Sequence, residues 1–186
     1  MEDKKKIFEM VDELRADCAI KQKMGLHFII TSVIIWTAML IIQMTSLNIV
    51  YKNFLTLCCS APLMPIALLI SKIIKVDFQN KDNPLTNLGI VFSVNQIVYI
   101  LIAMWVLSAQ PEKMLMVYTM IFGAHLMPYG WLYKTKTYII FSVFIPIAAL
   151  MIGLRYSSVV LAVFMVIVEI IFCVCLIICN KKMVRV

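Results

Sequence analysis

Residues 158–179 read SVVLAVFMVIVEIIFCVCLIIC, 22 residues that carry a single charge, at Glu169. At about 1.5 Å rise per residue, a helix of this length covers roughly 33 Å, enough to cross about 30 Å of bilayer hydrocarbon. A helix on the surface of a soluble protein needs a polar face, and this one has none. Its fifteen Leu, Ile, Val and Phe residues each favour insertion by about 0.3–0.6 kcal/mol, against roughly 2.5–3.5 kcal/mol for a carboxylate at the centre. Insertion wins, and Lys181 and Lys182 follow directly.

Five more stretches of this kind lie upstream, near 26–45, 54–74, 88–108, 114–132 and 138–154. The last has only 17 residues, roughly 25 Å of helix, and should be short or extended by its neighbours. The chain of 186 residues is 63% hydrophobic with a mean hydropathy of +0.96, which excludes an ordinary soluble globule. The expected fold is all-α: a membrane bundle of six transmembrane helices over 26–179, a cytoplasmic segment over 1–25 and a cytoplasmic tail over 180–186. No Gly-rich phosphate loop, Ser-His-Asp set or His-Glu-x-x-His motif occurs, so no enzyme, cofactor or resident metal is expected. A ligand site must sit inside the bundle or at its mouths.

Charge orients the bundle. Of 17 Lys and Arg residues, 14 fall on the N-terminal segment, the second and fourth connections and the tail, and only Lys52, Lys113 and Arg155 lie elsewhere. Short connections rich in Lys and Arg stay in the cytoplasm, so both termini are expected there. The net charge of +7 then points to anionic lipid head groups on the cytoplasmic face, and not to nucleic acid. The first apolar stretch is too long for a signal-peptide core and should act as an uncleaved anchor.

The segment 4–24 reads as a short amphipathic helix. Ile7, Val11, Leu14 and Cys18 recur at near-helical spacing, with Glu9, Asp12, Glu13, Arg15 and Asp17 on other faces. It suits either a helix lying on the inner leaflet or a dock for a cytosolic partner. Asn83-Pro84 and Gln110-Pro111-Glu112 mark helix starts. Pro65-Ile66-Ala67 and Pro146-Ile147-Ala148 occupy the middle spans of two three-span halves, the arrangement an inverted repeat would give.

Six cysteines do not make a disulfide framework here, because five lie in spans and Cys18 in a reducing location. Cys173, Cys175 and Cys179, or Met114, Met116 and Met120 above His125, have the ligand softness for Cu(I). With 14 Met in the chain, packing is the simpler reading.

The chemistry rests on a few polar residues. Glu169 should face the bundle and meet a donor; in a carrier it would load and release a proton. Pro128 removes the amide that would bond the Ala124 carbonyl, leaving a polar notch beside His125. Asn95, Gln96 and Tyr99 form a third polar point, and since adjacent helical positions point about 100° apart, only one of the first two should face inward. Tyr129, Trp131 and Tyr133 read as an interfacial belt, and Pro65, Pro128 and Pro146 as helix breaks. Together these residues suggest a polar cavity open to the cytoplasm.

Lys81-Asp82-Asn83-Pro84-Leu85 leading to Leu88-Gly89, with Gly123-Ala124-His125-Leu126-Met127-Pro128-Tyr129-Gly130-Trp131, resembles a family of small bacterial membrane proteins of roughly six spans and unknown function. The similarity runs from about Arg15 through the fifth span. It implies a bacterial plasma-membrane protein and supplies no substrate or catalytic residue. Two functions remain in view. One is a small carrier for a small molecule, with proton coupling through Glu169. The other is a non-transporting subunit or regulator that docks a partner through its N-terminal helix. Gly123 and Gly130 suit close packing within one chain or in a homo-oligomer.

Overall fold

The computed structural model describes residues 2–77, 80 and 82–183. Lys81 and Arg185, two of the residues used above, lie outside the described residues. Helix α1 (Glu2–Lys21) has Glu2 and Asp3 in its first turn and Lys21 in its last, the arrangement the helix dipole favours. A turn over Lys23–Gly25 leads into α2 (Leu26–Met44). Its three residues take left-handed φ values of 47°, 51° and 71°, a conformation only glycine adopts without cost. Neighbours hold the strained turn: Tyr138 Oη donates to Met24 O at 2.8 Å and Asn180 Nδ2 to Lys23 O at 2.9 Å.

The second apolar stretch forms two helices, α3 (Ile49–Cys58) and α4 (Leu63–Ile73), bent by 44° at the break between them. Asn48 caps α3 by accepting from the Tyr51 amide at 3.0 Å. The break falls at Cys59–Pro62, upstream of Pro65, whose missing amide is harmless in the first turn of α4. Helix α5 (Leu85–Ala109) is unbroken, and Asn83 opens it by accepting from Leu85 N at 3.0 Å. A 3-10 turn at Pro111–Lys113 leads to α6 (Met114–Ala124), which stops at His125–Leu126 and resumes as α7 (Met127–Leu132). Pro128 lies at that second break. Helix α8 (Lys136–Arg155) passes through Pro146 without interruption, so this proline does not break its helix. At 20 residues it is roughly 30 Å long, longer than the apolar stretch that announced it. Helix α9 (Ser158–Met183) completes the chain, and no strand occurs among the described residues.

Among the described residues, four helices are long and apolar enough to cross a membrane, and five spans result if α3 and α4 count as one. Helix α2 packs along α9, α6 along α8, α4 against α2 and α5 against α6. The closest seams use glycine. A Cβ on Gly123 would come within 2.6 Å of Pro146 Cδ, one on Gly130 within 2.5 Å of Ile139 Cγ1, and one on Gly153 within 2.5 Å of Met116 Cγ. The first two glycines therefore pack α6 and α7 on α8 within one chain. The outer surface is apolar, with Trp105, Ile73 and Ile97 each more than three-fifths exposed, as a lipid-facing surface requires.

Long-range hydrogen bonds gather the basic connections at one end. Arg15 donates to Trp131 O at 2.8 and 2.5 Å, Lys134 to Asp12 at 2.5 Å, and Lys23 to Ile74 O at 2.5 Å. Asp17 accepts from Asn83 at 2.8 Å and Asn80 at 3.1 Å. Lys52 and Lys113 lie at the opposite end, where they donate to Gln43 O and Gly153 O at 3.0 and 2.9 Å. Only the second half of α1 docks. Its first half is exposed, including Ile7, Phe8 and Met10, while Cys18 and Ala19 are buried.

Candidate functional site

Two broken helices and an aromatic stripe make the site. Tyr118, Phe122, His125, Tyr129 and Tyr133 follow one another at intervals of four, three, four and four residues, so they share one face through the α6–α7 break. That face lines a cavity of about 370 Å³ whose other walls come from α2, the α3–α4 break, α5 and Tyr138 of α8. Polar groups on its wall are largely paired with one another. Ser60 Oγ and Tyr118 Oη lie 2.6 Å apart, and Ser93 Oγ and Tyr129 Oη 2.7 Å apart.

At the basic end Tyr133 and Tyr138 close over the cavity. Both are 2% exposed, with Tyr133 Oη donating to Gln22 Oε1 at 2.8 Å and Tyr138 Oη to Met24 O. A crevice of about 10 Å³ beside Gln22 and Thr86 has room for about one water. The exposed lining residues are Ala61 at the α3–α4 break, Met64 on α4 and Val94 and Ile97 on α5, and α4 and α5 scarcely touch. The cavity therefore opens sideways, between two helices. It is also mainly apolar and aromatic, unlike the polar, cytoplasm-facing cavity that the polar residues and prolines of the sequence suggested.

The five polar candidates separate. His125 and Gln96 both line the cavity, His125 with its Nδ1 on the carbonyl of Phe122. A ring that donates from Nδ1 leaves Nε2 as an acceptor when neutral. Asn95 and Tyr99 are exposed on the other side of α5, which agrees with only one of Asn95 and Gln96 facing inward. Glu169 is fully buried between α9 and α2. Ser32 of α2 lies beside its carboxyl, yet neither group reaches hydrogen-bond geometry with a protein partner. Ser32 is also part of the cavity wall, which puts Glu169 one side chain behind the cavity.

Sequence reasoning did not single out Ser32, Trp36, Tyr118 or Tyr138. The regular spacing from Tyr118 to Tyr133 was the signal available for the aromatic face. Tyr129 and Tyr133, at 8% and 2% exposure, point inward and do not form an interfacial belt. Trp131 is 47% exposed and lies under the Arg15 guanidinium, 4.6 Å from its ring centroid. All six cysteines are free thiols, and no group of three or more His, Cys, Asp or Glu is placed to hold a metal ion among the described residues.

Apolar helices of spanning length around an internal cavity make this a multi-pass membrane protein. The chain belongs to the family of unknown function DUF7010, whose model matches residues 11–179. No curated protein and no solved structure matches the chain.

Proposed function

We propose that this protein is a small carrier of the bacterial plasma membrane, with Glu169 as its proton site and the cavity as its substrate site. In this reading the chain crosses the bilayer six times. Helices α3 and α4 form one crossing and α6 and α7 another, and both termini lie in the cytoplasm beside the basic connections. The observation that carries the reading is the buried Glu169 carboxyl, set behind Ser32 on the cavity wall, with no cation beside it among the described residues. Broken helices next to a cavity support it, since irregular backbone at membrane depth is tolerated where it is packed in protein or lines a cavity. The reading assigns no enzymatic step and no cofactor.

The test compares thermal stability of the purified wild type and Glu169→Gln between about pH 5 and 9. A proton site predicts a pH-dependent change in the wild type that the variant lacks. Identical profiles would reduce Glu169 to a structural group and remove the carrier reading.

The first half of α1 favours a second reading, a non-transporting subunit or regulator. Phe8 is 75% exposed beside Ile7 and Met10, and these apolar residues directly follow the run Lys4-Lys5-Lys6, a composition suited to a protein partner or to anionic lipid. Phe8→Asp should abolish docking and leave the thermal stability of the bundle unchanged, because the first half of α1 is exposed.

A further inference from the structure

The cavity says something about the charge and shape of what it holds. Its lining contains aromatic faces, small hydroxyls, Gln96 and His125, and no Lys or Arg. The groups acting on Glu169 are Ser32 from α2, Tyr138 from α8 and Cys173 from its own helix. The remaining titratable residue of α2 is His27, and that of α6 is Tyr118. None of these is a fixed cation. An ionised carboxylate in such a place needs a countercharge, and the described residues around it supply none. Trp36, Tyr118, Phe122 and Tyr129 surround the same space, and aromatic faces are the surfaces that attract an organic cation. The way in is lateral, past Met64 and Ile97, from the hydrocarbon.

We propose that the cavity binds an amphipathic organic cation, a quaternary ammonium or protonated amine on an apolar body, drawn from the bilayer between α4 and α5. The aromatic faces hold the cationic head, and the Glu169 carboxylate behind Ser32 balances its charge. For a quaternary ammonium the step is an exchange: the Glu169 O–H bond breaks, the proton leaves to solvent, and the carboxylate left behind offsets the charge of the cation from behind Ser32. No covalent bond forms to the ligand. This deepens the carrier reading by naming a substrate class and rests on it for turnover, whereas binding itself can be measured without transport.

The probe is benzyltrimethylammonium, set against neopentylbenzene, a neutral molecule of the same shape, with the full-length protein in nanodiscs of zwitterionic lipid. Saturable quenching of tryptophan fluorescence by the cation is expected, with affinity at least about tenfold above the isostere. About one proton per bound cation should appear in weakly buffered solution. Glu169→Gln should lose the proton release and weaken binding by about tenfold or more. Should that variant fail to fold, Ile97→Trp at the exposed lateral opening provides an independent test. It should slow association, followed by proton release, by about tenfold while leaving the wild-type number of protons released per cation. Equal binding of the neutral isostere, absence of cation binding, proton release that persists in Glu169→Gln, or an association rate unchanged by Ile97→Trp would each overturn the proposal. If no cation binds but Glu169→Gln still removes the pH-dependent stability change, the carrier reading survives with another substrate. If the stability profile is unchanged as well, both fall.

Discussion

Tyr133 shows how much can depend on one hydroxyl. Its phenol is buried at the basic end of the cavity and donates to Gln22 Oε1. Tyr133→Phe leaves that buried acceptor without its donor, a loss of about 1–3 kcal/mol, which a melting curve in detergent will report. Gly123 sets the opposite constraint. Gly123→Ala would force a methyl to within 2.6 Å of the rigid Pro146 ring. The expected destabilisation is about 1–3 kcal/mol, from separating α6 and α8, and should be accompanied by faster proteolysis. The sequence made Glu169 and His125 conspicuous because an ionisable group in an apolar run is costly and rare. It could not flag Ser32, because a hydroxyl in a membrane helix usually bonds back to its own carbonyls and passes as apolar. Thr31 does so, donating to His27 O at 2.8 Å. Ser32 is distinguished only by what α9 places opposite it, and that is tertiary information.

Helices show the same division. The length and apolarity of 158–179 predicted α9 with little room for error, and Asn83 opened α5 where its sequence said. Breaks were harder to read. Proline at 65, 128 and 146 carries the same covalent restriction in each case, but it interrupts a helix only where the preceding turn cannot absorb the missing amide. Pro65 and Pro128 each fall in the first turn of a helix that restarts after a break, and Pro146 is accommodated in a continuous helix. Helix α1 was visible as a helix, but its docking was not, because its partners lie more than fifty residues away. That docking is electrostatic in part. The Lys134 ammonium holds the Asp12 carboxyl below its ordinary value of 3.8, and the Asn83 amide and then Lys21 do the same for Asp17. A carboxyl depressed in the folded state contributes stability above its unfolded pKa, and this is lost as the pH falls through the lower folded value. Hydrogen exchange over 12–21 should therefore rise as the pH drops below about 4, ahead of exchange in α9. At neutral pH, Asp17→Ala should expose the buried Cys18 thiol to maleimide while the wild type stays protected.

The whole molecule is organised by where its charges sit. In the sequence, 14 of 17 basic residues fall on alternate connections, and in the folded chain those connections meet through Arg15, Lys23, Asp17 and Lys134 at one end of the bundle. This grouping was legible early because loop charge follows chain order alone. The shape of the cavity was not, since it depends on α4 and α5 standing apart, and no residue announces a contact that is missing. Topology can be measured directly. Reporter fusions that are active only in the cytoplasm should be active at both termini and at residue 134, and silent at residues 47 and 156. A C-terminal fusion silent in the cytoplasm would reverse the assignment of sides.

The left-handed turn at Lys23–Gly25 sets the rotational phase of everything after it on α2. Gly25, Ile29, Ser32 and Trp36 are spaced by four, three and four residues, so at about 100° per residue they form one narrow stripe, and all four line the cavity. A single residue inserted just after Gly25 would keep the length, composition and span of α2 almost unchanged. It would also turn the stripe by about 100°, taking Ser32 off Glu169 and Trp36 out of the cavity wall. The internal chemistry of the bundle is thus indexed by a three-residue bend at its rim, held by Tyr138 and Asn180.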